Sequence, residues 1–216
     1  MEVLDRLRIT EIFFSLQGET RTVGLPTVFI RLTGCPLRCH YCDTVYAFHG
    51  GQWLDIDVIL AQVKQYKAHY VTVTGGEPLA QKACLNLLSR LCDQGYEVSL
   101  ETSGALSIAE VDNRVIKVVD IKTPGSGEVA KNRWENLSHL LPHDQIKFVI
   151  CDEADYIFAK EMIDQYHLTS LCEVLFSPSF QQMNPGKLAD WILKDQLAVR
   201  LQIQLHKYLW GDVAGK

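Results

Sequence analysis

No run of apolar residues in this sequence approaches the ~20 that a membrane-spanning helix needs. The opening Met1-Glu2-Val3-Leu4-Asp5-Arg6 lacks the basic-then-apolar layout of an export signal, so the expected compartment is the cytoplasm, with no membrane partner. Internal repeats, low-complexity tracts and Pro/Gly/Ser-rich linkers are also missing, which predicts a single domain over residues 1–216. Cationic residues are in the minority: 21 Lys and Arg face 26 Asp and Glu, a net charge of −5. That balance excludes the basic footprint of a nucleic-acid-binding protein. With 47% hydrophobic and 22% charged residues, the chain has a globular composition and is long enough to bury a core without disulfide staples.

What is present is an alternation of short β-rich runs with stretches of helical spacing. Residues 28–32, 70–73, 97–100, 115–119, 145–150 and 173–176 read as strands. Ile56, Ile59, Leu60 and Val63 recur at helical intervals, as do Cys84, Leu88, Leu91 and Cys92. Phe158, Met162 and Tyr166 repeat the pattern, and so do Leu188, Trp191 and Ile192. Strand then helix, repeated, predicts an α/β fold with a parallel sheet, whose site lies at the carboxyl ends of its strands. The chemistry-bearing segments fall at those ends: Gly34-Cys35, Thr74-Gly75-Gly76-Glu77-Pro78, Glu101-Thr102-Ser103-Gly104, Asp120-Ile121-Lys122 and Ser177-Pro178.

Seven cysteines are unevenly spread. Cys84, Cys92, Cys151 and Cys172 stand in apolar company, where a free cysteine packs as a small core residue. Cys35, Cys39 and Cys42 instead share one segment, with three and then two residues between them. A loop of this spacing can wrap three thiolates around a metal centre. A cubane iron–sulfur cluster takes four ligands, so three cysteines leave one iron open to a substrate or cofactor. A structural zinc completed by His40 or a distant cysteine is the competing reading. Against it, no second Cys-x-x-Cys occurs, and His40 adjoins Cys39, an awkward place from which to reach the same ion.

The triplet followed by Gly75-Gly76-Glu77-Pro78 resembles the radical S-adenosylmethionine (SAM) enzymes. The resemblance implies a [4Fe–4S] cluster on Cys35, Cys39 and Cys42 whose open iron chelates SAM, and one-electron cleavage of SAM to a 5′-deoxyadenosyl radical. A glycine pair after a strand lets a cofactor approach the backbone, and Pro78 suits the opening of the next helix. Within that group, Ser15-Leu16-Gln17-Gly18-Glu19, Phe29-Ile30-Arg31 and Cys42-Asp43-Thr44 are similar to the 7-carboxy-7-deazaguanine synthases. The likeness is tightest over residues 11–104 and continues more loosely through Lys122-Thr123-Pro124-Gly125-Ser126-Gly127 and Gln204-Leu205-His206-Lys207 to the end.

That family implies a lyase contracting 6-carboxy-5,6,7,8-tetrahydropterin to 7-carboxy-7-deazaguanine, with loss of ammonia, in the biosynthesis of deazapurines such as the queuosine precursor. SAM is recycled, and magnesium (Mg2+) is required. By the same resemblance Leu16, Gln17, Gly18, Arg31 and Thr74 contact the pterin, Arg31 offering a planar fork suited to a carboxylate. Tyr41, Cys42, Asp43, Gly76, Asp120, Ile121, Lys122, Ser177 and Pro178 contact SAM, and Thr44 binds magnesium. The resemblance also implies the fold: a radical SAM core domain built as an incomplete β/α barrel of parallel strands, with short terminal extensions that close the pocket. Its helices are reduced, because eight full β/α units need ~250 residues. A flavodoxin or ferredoxin donates the electron, and the family is homodimeric, for which the aromatics near Tyr208 and Trp210 would suit an interface. His206 is a candidate polar group for the pocket; a lone histidine is more often a hydrogen-bonded structural residue, so it stays outside the catalytic set. The competing enzyme is an activase that installs a glycyl radical on a partner protein; Gln17-Gly18-Glu19 and Asp43-Thr44 favour the small-molecule reading. Three places depart from the family pattern: Ser103 stands where asparagine is common, Ser177 where glutamine is frequent, and the sequence ends in Ala214-Gly215-Lys216 where the family's tail can close the substrate pocket.

Overall fold

Alternation within the strands decides the architecture. A computed structural model describes residues 5–213 and Gly215. Met1 to Leu4, read above for an export signal, and Ala214 and Lys216 of the tail lie outside the described residues. Among the described residues nine strands form one sheet: β1 (Arg6–Leu16), β2 (Pro26–Leu32), β3 (Gln52–Asp55), β4 (Tyr70–Gly75), β5 (Glu97–Thr102), β6 (Ile116–Ile121), β7 (Gln145–Ile150), β8 (Glu173–Pro178) and β9 (Arg200–Leu201). Their order is β3-β1-β2-β4-β5-β6-β7-β8-β9, with β3 and β9 as edges, an incomplete barrel. From β2 through β9 all neighbours are parallel. The expectation of parallel strands needs correcting at one edge, where β1 runs antiparallel to both β2 and β3.

The six expected strands are all present. Of these, β4, β5, β6 and β8 each continue two residues further than the sequence suggested, so Thr74, Glu101, Asp120 and Ser177 lie within strand ends rather than beyond them. Strand geometry therefore fixes where these four side chains point. The sequence reading missed β1, and the cause is physical: a β-bulge between Ile9 and Glu11 breaks the period-2 pattern on which such a reading depends.

Crossovers carry α1 (Ile56–Val63), α2 (Cys84–Asp93), α3 (Glu153–Tyr166), α4 (Leu168–Leu171) and α5 (Pro185–Lys194); α6 (Leu205–Trp210) follows β9. The β5–β6 connection has no helix and the β6–β7 connection only 3-10 turns, so the helical layer is reduced as expected. Pro78 opens a 3-10 turn, Pro78–Ala80, before α2 begins at Cys84. On α3 the buried face is Tyr156, Ala159 and Ile163; Phe158, Met162 and Tyr166, the expected stripe, flank it half-buried.

The two faces of the sheet divide the chemistry. Val28, Ile30, Leu32, Val71, Val73, Val98, Leu100 and Val119 point outward and pack with Ile59, Leu60 and Val63 of α1 and Leu87, Leu88 and Leu91 of α2. Ile121, Ile146, Phe148, Ile150, Val174 and Phe176 do the same with α3 and with Leu188 and Ile192 of α5. Each such side chain contributes about 1.5–3 kcal/mol on burial. The alternate residues, Arg31, Thr74, Glu101, Asp120, Lys147 and Ser177, turn inward onto a cleft. One polar pair breaks the outer pattern: Lys117 meets Asp144 at 2.9 Å with both side chains at most 1% exposed.

Candidate active site

The cleft opens at the carboxyl ends of the parallel strands and encloses about 480 Å³. Its rim is the segment after β2. Cys35, Cys39 and Cys42 are free thiols, partly exposed, and all three line the cleft. The loop is tied at several points: Gly34 N–H donates to Ala47 O (2.8 Å), His40 N–H to Ser126 O (3.1 Å) and Leu37 N–H to the Cys35 sulfur (3.4 Å). Glu77 N–H donates to Gly34 O (2.8 Å), locking the Gly-Gly-Glu-Pro turn against the cysteine loop. A Cβ on Gly76 would lie 2.2 Å from Gly34 O and 2.9 Å from the Cys35 Cβ, so only glycine permits that approach.

Burial pushes the Cys35 thiol up and the Cys39 thiol to about 11. Iron reverses that preference, since a coordinating thiol is deprotonated. The donor set fits a [4Fe–4S] cluster: three free thiols on one rim, beside two buried polar atoms with no partner, the Tyr41 hydroxyl and Asp120 Oδ1. Among the described residues no three His, Cys, Asp or Glu side chains converge to hold a single metal ion, as the zinc reading would need. A cluster gives each thiolate its own iron and needs no such convergence. The other four cysteines do not line the cleft; Cys84 and Cys172 are buried, one in each hydrophobic cluster.

Nearly every residue singled out for SAM lines this cleft: Tyr41, Cys42, Asp43, Gly76, Asp120, Lys122, Ser177 and Pro178. Lys122 Nζ sits 3.0 Å from Asp120 Oδ2 and 5.9 Å from the centre of the Tyr41 ring. Burial would lower the Lys122 pKa, but Asp120 outweighs it and raises it. Ile121 is the exception. Its side chain is 4% exposed in the outer cluster, which leaves only its backbone for a ligand. Ser103 turns its hydroxyl onto Glu77, a fully buried carboxylate that also accepts from Thr102 Oγ1, Ser103 N–H and Leu79 N–H. The serine at this position thus serves the Gly-Gly-Glu-Pro turn.

Deeper in the cleft lie Leu16, Gln17, Gly18, Arg31 and Thr74. The Gln17 amide is 2% exposed and engaged within the protein: it donates to Thr72 Oγ1 (3.1 Å) and Glu101 Oε1 (3.4 Å) and accepts from Glu19 N–H (3.1 Å). Thr74 donates to Glu101 Oε2 (3.0 Å). Burial raises the Glu101 pKa. Lys147 Nζ lies 3.0 Å from Glu19 Oε2 and 3.9 Å from Asp120 Oδ2. Burial opposes its charge, but Glu19, Asp120 and Glu101 hold it protonated. Burial alone would raise Glu19, yet Lys147 and Gln204 keep it below the usual carboxylate range.

The C-terminal segment closes one side. Leu205 N–H donates to Gly18 O (2.9 Å), Gln204 Nε2 to Glu19 Oε1 (2.9 Å), and Lys207 Nζ sits 2.8 Å from Asp43 Oδ2. Burial works against the Asp43 charge, but Lys207, Thr44 and Gln204 outweigh it and hold the carboxyl down at about 2. The Thr44 hydroxyl donates to Asp43 Oδ1 at 2.9 Å. His206 packs where a Cβ on Gly18 would lie 1.9 Å from its Nδ1, and burial lowers its pKa. It lines the cleft, where the sequence makes it a candidate polar group.

Sequence reasoning placed Glu101 at a site-bearing strand end and Glu19 and Gln204 in family-like segments without giving any of them a contact, and it read Lys147 only as part of a strand. The available signal was parity: Lys147 sits between Ile146 and Phe148, at the one phase of β7 that faces inward.

The sequence matches the Radical SAM superfamily over residues 29–119. A protein of Koribacter versatilis named 7-carboxy-7-deazaguanine synthase is 45% identical, covering 94% of this chain and 97% of its own length. One of the same name from Chlorobaculum tepidum is also 45% identical, covering 96% of each. The crystal structure of QueE from Escherichia coli superposes with a TM-score of 0.77 at 23% identity, over 93% of this chain and 95% of that one, and so shares the fold. At these identities over nearly its whole length, the chain belongs to the 7-carboxy-7-deazaguanine synthase family, within the radical SAM enzymes.

Proposed function

We propose that this protein is a radical SAM lyase that contracts 6-carboxy-5,6,7,8-tetrahydropterin to 7-carboxy-7-deazaguanine with release of ammonia, supplying deazapurine biosynthesis in the cytoplasm. The observation that carries the reading is a single cleft in which a three-cysteine rim faces a charged, hydrogen-bonded floor. Cys35, Cys39 and Cys42 would hold the [4Fe–4S] cluster. When bound, cluster and SAM supply one-electron hydrogen abstraction. The chain's own part is binding, orientation and exclusion of water.

Arg31 receives the pterin carboxylate, and Leu16, Gln17, Gly18 and Thr74 frame the ring. Because the Gln17 amide is already engaged, its backbone makes the contact while its side chain fixes Glu101. Asp120, Lys122, Tyr41, Asp43, Gly76, Ser177 and Pro178, with the Ile121 backbone, border SAM. Thr44 would hold magnesium together with oxygens from substrate, since one hydroxyl is a poor site for this hard cation by itself. The terminal segment around Gln204, His206 and Lys207 closes the pocket. A flavodoxin or ferredoxin docks at the exposed side of the cysteine loop, where Arg38 and His40 lie. Tyr208, 81% exposed, contributes to a homodimer contact.

The test is anaerobic turnover with reductant, SAM and carboxytetrahydropterin. The reading predicts one carboxydeazaguanine and one ammonia per pterin, with no accumulation of methionine in proportion. Methionine released in step with turnover, or a glycyl radical formed on a partner protein in place of pterin turnover, would overturn it.

A further inference from the structure

The β-bulge in β1 has a consequence for Arg31. Ile9 pairs with Leu32, but the next aligned pair is Glu11 with Arg31, so Thr10 is the extra residue. A one-residue shift exchanges the two faces of a strand. Before the bulge Leu7 and Ile9 point into the outer hydrophobic cluster; after it Ile12 takes that side. Glu11 and Phe13 move to the inner side, opposite Arg31 and Phe29. Without the bulge the alternation begun by Leu7 and Ile9 would have turned Glu11 into the apolar layer.

Glu11 and Phe13, placed this way, meet Arg31 together with Tyr46 of the Val45–Phe48 turn. Arg31 Nε donates to Glu11 Oε1 at 2.7 Å, and Tyr46 Oη donates to the same oxygen at 2.8 Å. The guanidinium carbon lies 5.8 Å from the ring centres of both Phe13 and Tyr46, and Phe13 stacks on Phe29 at 4.9 Å. Arg31 and Glu11 side chains are 16% and 24% exposed, so the contact is sheltered. Arg31 and Phe13 line the cleft, whereas Glu11 and Tyr46 do not. Tyr46 also lies two residues past Thr44, on the segment that leaves the cysteine loop.

We propose that Glu11, backed by Tyr46, is a positioning residue that presents the free edge of the Arg31 guanidinium to the substrate carboxylate, with the bulge at Thr10 as the device that puts it there. This rests on the reading of Arg31 as the anion site. A fork already fixed in orientation loses less freedom when it binds a planar anion. Tyr46 ties that orientation to the loop carrying the cysteines and Thr44.

The experiment measures substrate Kd, KM and kcat on the anaerobic holoenzyme for Glu11→Gln, Tyr46→Phe, Arg31→Lys and Glu11→Gln/Arg31→Lys. Glu11→Gln should raise Kd and KM roughly tenfold and Tyr46→Phe roughly threefold, as expected for bonds to a charged group. Both should keep kcat at saturating substrate within about twofold. Iron content and the electron paramagnetic resonance (EPR) signal of the reduced cluster should match wild type. In the Arg31→Lys background, Glu11→Gln should add nothing further. Unchanged Kd in both single variants, or a full additional loss in the double variant, overturns the proposal while leaving the anion site standing. Wild-type affinity in Arg31→Lys would instead remove Arg31 from the site, and the proposal with it.

Discussion

Lys117 on β6 and Lys147 on β7 are both lysines withdrawn into the protein and paired with carboxylates, yet they belong to different worlds. Lys117 is on the outward phase of its strand. Its partner Asp144 also accepts N–H bonds from Lys117 (2.7 Å) and Leu141 (2.8 Å), and neither side chain reaches the cleft. Lys147 is on the inward phase, 14% exposed, and shared among Glu19, Asp120 and Glu101 on a wall that lines the cleft. Burial of a charge therefore does not mark a site. Strand phase does: Lys117 points to the outer layer beside the β6–β7 crossover, and Lys147 points into the cleft.

Breaking the outer pair should have the largest effect on the fold. Asp144→Ala leaves Lys117 buried without a counter-charge and frees two backbone donors, which should cost about 3–5 kcal/mol in a denaturant titration. Breaking the inner group should reverse the balance. Lys147→Met should lose about 1–2 kcal/mol of stability, because Glu19 keeps Gln204 and Asp120 keeps Lys122, while kcat/KM falls by roughly tenfold or more. Equal stability losses in these two variants would erase the distinction.

That distinction shows what could be read from the sequence. Six strands, four helices and the cysteine triplet were legible because each repeats a local period or spacing. The bulged strand β1 was not, since Thr10 destroys the alternation while turning Glu11 and Phe13 to the inner side, opposite Arg31 and Phe29. Ile121 was assigned to the site because its neighbours Asp120 and Lys122 belong there; the sheet turns it into the core. Lys147, Glu19 and Gln204 were not assigned because they meet only when β7, the β1–β2 turn and the C-terminal segment come together. A sequence lists such residues up to 185 positions apart, with no local sign that they touch.

Smaller effects sharpen the inner face. Thr44→Ala should weaken magnesium stimulation of turnover with iron content unchanged, and Thr44→Ser should retain most of it. An alanine variant with wild-type magnesium response would place the metal elsewhere. The smallest effect is on pH. His206 has its pKa lowered below 6.5 by burial, so between its folded value and 6.5 the unfolded chain binds the extra proton. The stability due to this group is thus complete above pH 6.5 and declines as pH falls below it. A His206→Gln variant should flatten that part of a stability-versus-pH curve.

The most direct measurement of the central claim is the EPR spectrum of anaerobically reconstituted, chemically reduced protein, with and without SAM. A [4Fe–4S] cluster on Cys35, Cys39 and Cys42 with one open iron predicts a reduced-cluster signal that SAM alters. The signal should persist in the Cys84→Ala, Cys92→Ala, Cys151→Ala and Cys172→Ala variants and vanish in Cys39→Ala. A signal indifferent to SAM, or one lost with any of those four distant cysteines, would contradict the account.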